Sequence, residues 1–199
     1  MIIKTIPAGM YDANCYIVID EDTKEACILD PGGDDVRLEG IIKDLDVKPK
    51  FILLTHGHLD HVGAVEHLSS LFNIPFYVHG DEIKYMESDN YIFGNIRKPD
   101  GLLSEDSEFS IGNHKIKVLH TPGHTEGGVC FLIDNDLFSG DTLFKGSIGR
   151  TDFTGGDFGK IINSIKTKIL PLGDDINVYP GHGPKTSVGY EKKYNPFLN

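Results

Sequence analysis

The stretch Thr55-His56-Gly57-His58-Leu59-Asp60-His61 places three imidazoles and a carboxylate within six positions. Imidazole nitrogen and carboxylate oxygen are the donors that zinc, iron and manganese take in catalytic sites. Four of them exceed what one open tetrahedral site needs, so the spacing points to two metal ions. His56 and His58 stand two apart, and in extended backbone both side chains leave on the same side. Asp60 and His61 follow at the entry to a helix and can turn toward a neighbouring position. Later stretches also set a histidine or aspartate among glycines: His124 in Thr121-Pro122-Gly123-His124, Asp141 in Ser139-Gly140-Asp141-Thr142, and His182 in Pro180-Gly181-His182-Gly183-Pro184. Glycine lets backbone crowd close to an ion; taken singly, each of the three is also an ordinary turn.

The elements that must hold these donors are readable from apolar periodicity. Phe51-Ile52-Leu53-Leu54 reads as a buried strand and Val62 to Leu71 as a helix, so the histidines lie on a strand-to-helix turn, a place where ligands collect in α/β sheets. Ile2 to Ile6, Cys15 to Ile19 and Ala26 to Leu29 form an expected antiparallel meander ending at Asp30. Asp34 to Leu45 reads as an amphipathic helix on Val36, Leu38, Ile41, Ile42 and Leu45. Pro75 to His79 is a strand, and 81–106, with its alternating charge and the aromatics Tyr85, Tyr91 and Phe93, reads as a helix-and-loop insertion. Beside a metal cleft such a segment could cover substrate, although loop aromatics are also ordinary packing.

The second half repeats the pattern, with strands at Ile116 to His120, Gly128 to Ile133 and Ile176 to Tyr179, and with Asn135-Asp136 as the hairpin turn into Leu137 to Ser139. Each donor motif closes a strand. Two similar halves of this kind predict two mixed sheets face to face with helices outside, a four-layer αββα sandwich in a single domain over 1–199. His67, His79, His114 and His120 read as satisfied core or surface residues, and Cys15, Cys27 and Cys130, each in an apolar context, as buried thiols.

The composition agrees with one globular domain or two fused half-units: 199 residues with 39% hydrophobic content supply a core, and a net charge of -11 argues against a nucleic-acid backbone as partner. The first residues lack the apolar core of a signal peptide, and no apolar run approaches the ~20 residues of a membrane span, so the chain reads as cytoplasmic with no membrane partner.

Thr55 to His61 resembles the H-x-H-x-D-H signature of the metallo-β-lactamase superfamily, and His124, Asp141 and His182 match that family's remaining ligand motifs in order. Asn14-Cys15-Tyr16-Ile17 and Asn195-Pro196-Phe197-Leu198 resemble most the short glyoxalase II-like hydrolases. The resemblance covers essentially the whole chain and implies the αββα metallo-β-lactamase fold. It puts one metal on His56, His58 and His124, the other on Asp60, His61 and His182, with Asp141 bridging both. The ions would be zinc, with iron or manganese as alternatives. Asp30 matches an aspartate that orients a metal-bound imidazole.

The implied reaction is hydrolysis of a small-molecule thioester by a hydroxide shared between the ions, with Asp60 steering that hydroxide or passing a proton to the leaving group. His61 and Asp141 stand where the commonest β-lactamases carry cysteines. A full-length glyoxalase II would add a C-terminal helical domain after His182, and none is expected here. Gly149-Arg150-Thr151-Asp152-Phe153 departs from the Gly-Lys-Phe-Tyr-like stretch of that enzyme; Arg150 either grips a substrate carboxylate or pairs with Asp152. The same five residues also resemble persulfide dioxygenases, which keep a single iron on residues matching His56, His124 and Asp141. A lactonase or a non-catalytic metal domain ranks below both.

Overall fold

The computed structural model describes residues 1–88 and 91–198. One sheet runs β1 (Ile2–Ala8), β2 (Ala13–Ile19), β3 (Glu25–Leu29), β4 (Lys48–Leu53), β5 (Phe76–His79) and β6 (Gly101–Leu103) in spatial as well as chain order. The first three strands pair antiparallel as the expected meander, and β3 to β6 pair parallel. The second sheet contains β7 (Phe109–Ile111), β8 (His114–His120), β9 (Val129–Ile133), β10 (Asp136–Gly140), β13 (Asn177–Pro180) and β14 (Thr186–Ser187), with β10 and β13 as its one parallel pair. Between them in the chain, β11 (Leu143–Phe144) and β12 (Ser147–Ile148) make a small separate hairpin.

The alternation of side chains along the strands builds the layers. On β2, Tyr16 and Val18 face the second sheet and pack with Phe131 and Phe138, while Cys15, Ile17 and Ile19 face outward against helix residues Leu38, Ile42 and Leu68. On the second sheet, Cys130, Leu137 and Val178 face a third apolar cluster with Ile161, Ile165 and Ile169. Three apolar seams make four layers, α1 (Asp35–Asp44) and α3 (Val65–Phe72) outside one sheet and α5 (Phe158–Ser164) outside the other. This is the αββα sandwich that the strand pattern predicts. All three cysteines are buried free thiols, and burial pushes Cys27 up to about 12 and Cys130 to about 11. Among the described residues no helix is long and apolar enough to cross a membrane.

Four local expectations need correction. Val62 to Leu71 is not one helix. A short α2 (Leu59–Val62) ends at Gly63, because the Ala64 amide donates to the Pro31 carbonyl instead of continuing the helical ladder. Val36 is 71% exposed, so the inner face of α1 rests on Leu38 and Ile42. The hairpin turn is Asp134-Asn135, with Ile133 opposite Asp136 and Asp134 in the left-handed region. The 81–106 stretch begins inside α4 (Gly80–Ser88) and contributes β6 to the sheet, while positions 89–90 lie outside the described residues.

Candidate metal centre

The donors converge where strands of both sheets end. β4 runs out into Thr55 and His56, and α2 carries Asp60 and His61. β8 leads to His124, β10 to Asp141 and β13 to His182. His58 Nδ1 lies 3.0 Å from His124 Nε2, and the His56 ring is 4.6 Å from that of His58 and 4.8 Å from that of His124. His182 Nε2 is 3.1 Å from Asp60 Oδ2 and 3.4 Å from His61 Nε2. These are two groups of three donors, and in each the ligand atoms lie within 4.8 Å of one another. Asp141 stands between them, with Oδ1 3.4 Å from His61 Nε2 and Oδ2 3.5 Å from His124 Nε2 and 3.8 Å from His182 Nε2.

Outer partners set the tautomers of three imidazoles. Asp30 accepts from the Thr55 amide at 2.7 Å, from the Thr55 hydroxyl at 2.6 Å and from His61 Nδ1 at 3.0 Å. With the Thr55 proton given to Asp30, the Thr55 oxygen is left to accept from His56 Nδ1 at 3.0 Å. His124 Nδ1 donates to the Arg150 carbonyl at 2.8 Å. His56 and His124 therefore turn a bare Nε2 lone pair inward, and His61, its Nδ1 held by Asp30, turns Nε2 toward Asp141, the orientation that metal-binding histidines receive from their outer partners.

The electrostatics divide the groups. Burial, reinforced by the other imidazoles, holds His56 well below the usual histidine range and takes His58 to about 3. Burial also lowers His124. It works against the proton on His61 too, but Asp141 and Asp30 outweigh it and raise that residue well above the usual value. The Asp60 hydrogen bond raises His182 and in turn lowers Asp60 against the cost of burial. Asp141 is held far below the carboxylate range because His61, His124 and His182 outweigh its burial.

Among the described residues, His56 Nε2, His58 Nε2 and Asp141 Oδ1 are buried without a hydrogen-bond partner. Each such atom costs about 1–3 kcal/mol unless something satisfies it. Unprotonated ring nitrogens crowded round a carboxylate are what a divalent cation would satisfy, so the donor set fits a metal.

Other sequence-flagged residues fall outside these groups. The Arg150 guanidinium is held by Asp152 through two contacts of 2.7 Å and lies 3.5 Å over the Phe153 ring, so of the two roles open to it the local pair is the one formed. Its contribution at the donors is the backbone carbonyl on His124. His67 pairs with Glu39 and His114 with Asp134. His79 and His120 stack at 4.4 Å, and with Asp81 they form a further, more exposed group.

Several supporting residues carry no sequence signal of their own role. Asn14 Nδ2 donates to the carbonyls of Pro180 and Gly183 at 3.0 and 2.9 Å, and the Tyr16 hydroxyl to Pro180 at 2.6 Å, so β2 holds the loop of His182. A buried asparagine in an apolar strand is the signal that could have drawn attention to it. Phe93 packs 4.7 Å from the His58 ring and stacks on Tyr85, so two of the three aromatics in 81–106 serve as packing.

An αββα sandwich with two three-donor groups at its strand ends and an aspartate between them is the architecture of a metal-dependent enzyme class. The sequence profile of the metallo-beta-lactamase superfamily matches residues 8–182, and the chain belongs to that metal-dependent superfamily. It is 41% identical over 210 residues to the hydroxyacylglutathione hydrolase GloC of Haemophilus influenzae, covering 100% of this chain and 99% of the relative. Among solved structures, BLEG-1 B3 metallo-beta-lactamase superposes with a TM-score of 0.92 at 40% identity and full coverage of both chains. TTHA1623 in a di-iron-bound form gives 0.87 at 33%, covering 98% of this chain and all of the other. ETHE1 from Myxococcus xanthus gives 0.85 at 27%, covering 98% of this chain and 84% of the other.

Proposed function

We propose that this protein is a dinuclear metal-dependent hydrolase of small-molecule thioesters, of the hydroxyacylglutathione hydrolase kind. The observation that carries the reading is the pair of three-donor groups flanking Asp141, whose carboxylate reaches His124 of one group and His61 and His182 of the other. His56, His58 and His124 would hold one ion and Asp60, His61 and His182 the other, with Asp141 shared. Zinc is the first choice, and iron or manganese suits the same donors. The relation to GloC supports the substrate class, and the di-iron-bound form of TTHA1623 supports a count of two. The net charge of -11 speaks for a small molecule over a nucleic acid, and the three free thiols for a cytoplasmic setting.

Bound in pairs, such ions act as Lewis acids and bring the acidity of water near neutrality. The chain supplies the rest. Asp30, Thr55 and the Arg150 carbonyl hold the Nδ1 side of three imidazoles and so aim Nε2 of each into the site. Asp60 is the partly exposed carboxylate of the site, 3.1 Å from His182, placed to take a proton from an attacking water and return it to the departing thiolate. If Asp152 releases the guanidinium, Arg150 is a candidate to meet a substrate carboxylate.

A second reading, a persulfide dioxygenase with one iron on His56, His124 and Asp141, is favoured by the resemblance of Gly149 to Phe153 to those enzymes. The test measures cleavage of S-lactoylglutathione under nitrogen, oxygen uptake on glutathione persulfide, and hydrolysis of a chromogenic β-lactam, each at several metal loadings. Anaerobic thioester cleavage that rises with the second equivalent of metal is expected. Oxygen uptake with iron alone and no anaerobic cleavage would install the second reading, and β-lactam turnover alone would replace the substrate class.

A further inference from the structure

Glu82 is a carboxylate with 0% exposure on α4, outside both donor groups. Its Oε2 accepts from the Gly57 amide and its Oε1 from the Gly127 amide, both at 2.8 Å. Gly57 lies between His56 and His58, and Gly127 lies three residues beyond His124. Both positions are fitted to the carboxylate: a Cβ on Gly57 would come within 3.1 Å of Oε2, and one on Gly127 within 2.8 Å of Oε1. The same two loops are joined at their roots by the Val129 amide on the Thr55 carbonyl, also at 2.8 Å. That bond alone leaves a hinge. A second attachment farther along both loops removes it.

We infer that Glu82 is a positioning residue of the metal centre, a buried carboxylate that ties the His56-Gly57-His58 turn to the His124 loop and fixes the span across which their imidazoles meet. The inference rests on the metal reading above and adds a residue that touches no ion in it. Two charge-assisted bonds from one rigid group hold both loops to α4, so the close approach of His58 Nδ1 to His124 Nε2 is set before any ion arrives. Asp60, His61 and His182 depend on Asp30 and on β2, so Glu82 acts on one group only.

The experiment uses Glu82→Gln in the full chain, which keeps the shape but turns an NH2 toward an amide N–H at one end. In metal-free protein, hydrogen exchange at the Gly57 and Gly127 amides is expected to accelerate while the β9 and β10 amides keep their protection. On titration with zinc, the variant is expected to bind one of two ions about 10- to 100-fold more weakly and the other as the wild type does. Met86→Ala, a cavity in the same helix beside Gly57, serves as the comparison for simple loosening and is expected to lower the melting midpoint without that selective loss. Unchanged exchange at both amides, equal weakening of both ions, or the same selective loss in Met86→Ala would overturn the inference. If the wild type binds no zinc, the metal reading fails, and the exchange measurement still decides whether Glu82 ties the loops.

Discussion

The two donor groups offer the same number of ligands and treat protons in opposite ways. His56, His58 and His124 are buried, and burial drives protons off all three. Asp60, His61 and His182 contain their own carboxylate, two of the three are partly exposed, and both histidines are raised. Without an ion, the second group satisfies itself by sharing protons between Asp60, Asp141 and the imidazoles, whereas the first is left with unprotonated nitrogens and no counter-charge of its own. Proton competition should therefore separate two ions that the donor count alone makes equivalent.

The largest expected effect comes from the residue common to both groups. Asp141→Ala should lower metal content and thioester cleavage together by orders of magnitude, measured by elemental analysis and steady-state rates. Loss of one ion with the other held at wild-type affinity would show that the groups do not share it. Next, His182→Ala should leave one ion per chain on the buried group, and His56→Ala should leave the more proton-sensitive one. Equal loss in both variants would erase the comparison.

A smaller effect follows from acid. Raised histidines take up protons at higher pH, so as pH falls the ion on Asp60, His61 and His182 should leave first, in a titration read by a metal indicator. In metal-free protein His58 is at about 3 against an ordinary value near 6.5. Between those values the unfolded chain binds a proton that the folded chain refuses, so stability is lost as pH is lowered, by roughly 1 kcal/mol per unit. His58→Gln should flatten that slope in melting curves; an unchanged slope would place the acid sensitivity elsewhere. The smallest effect belongs to His79→Ala, which removes a ring stack worth about 0.5–1.5 kcal/mol and should leave metal content as it is. A lost ion would make His79, Asp81 and His120 a site of their own.

How much of this was legible follows from which features are local in sequence. Strands that end on possible donors are a pattern of neighbours, so the layers, the meander and the cluster from His56 to His61 could be read directly, whereas His124, Asp141 and His182 stood out through the resemblance. What a carboxylate is buried against is not local. Asp30 could be proposed only through a resemblance, and Glu82 sat unremarked in a charged run read as an insertion. The parallel pairing of β6 with β5 joins residues more than twenty apart through a stretch without periodicity. The Asp134-Asn135 turn was misplaced by one residue because the left-handed conformation fell on an aspartate, which enters that region less readily than glycine.

Asn14 and Tyr16 grip the Pro180 carbonyl across more than 160 positions of chain. During synthesis the early strand must therefore wait for β13, more than 160 positions later, before His182 has a seat. His56 and His58 are available as soon as β4 forms, His124 arrives with the second sheet, and His182 is seated only when the two ends of the chain meet. Assembly of the centre is thus ordered in time, and a chain truncated before Pro180 would carry the early histidines without the closure that completes their neighbour.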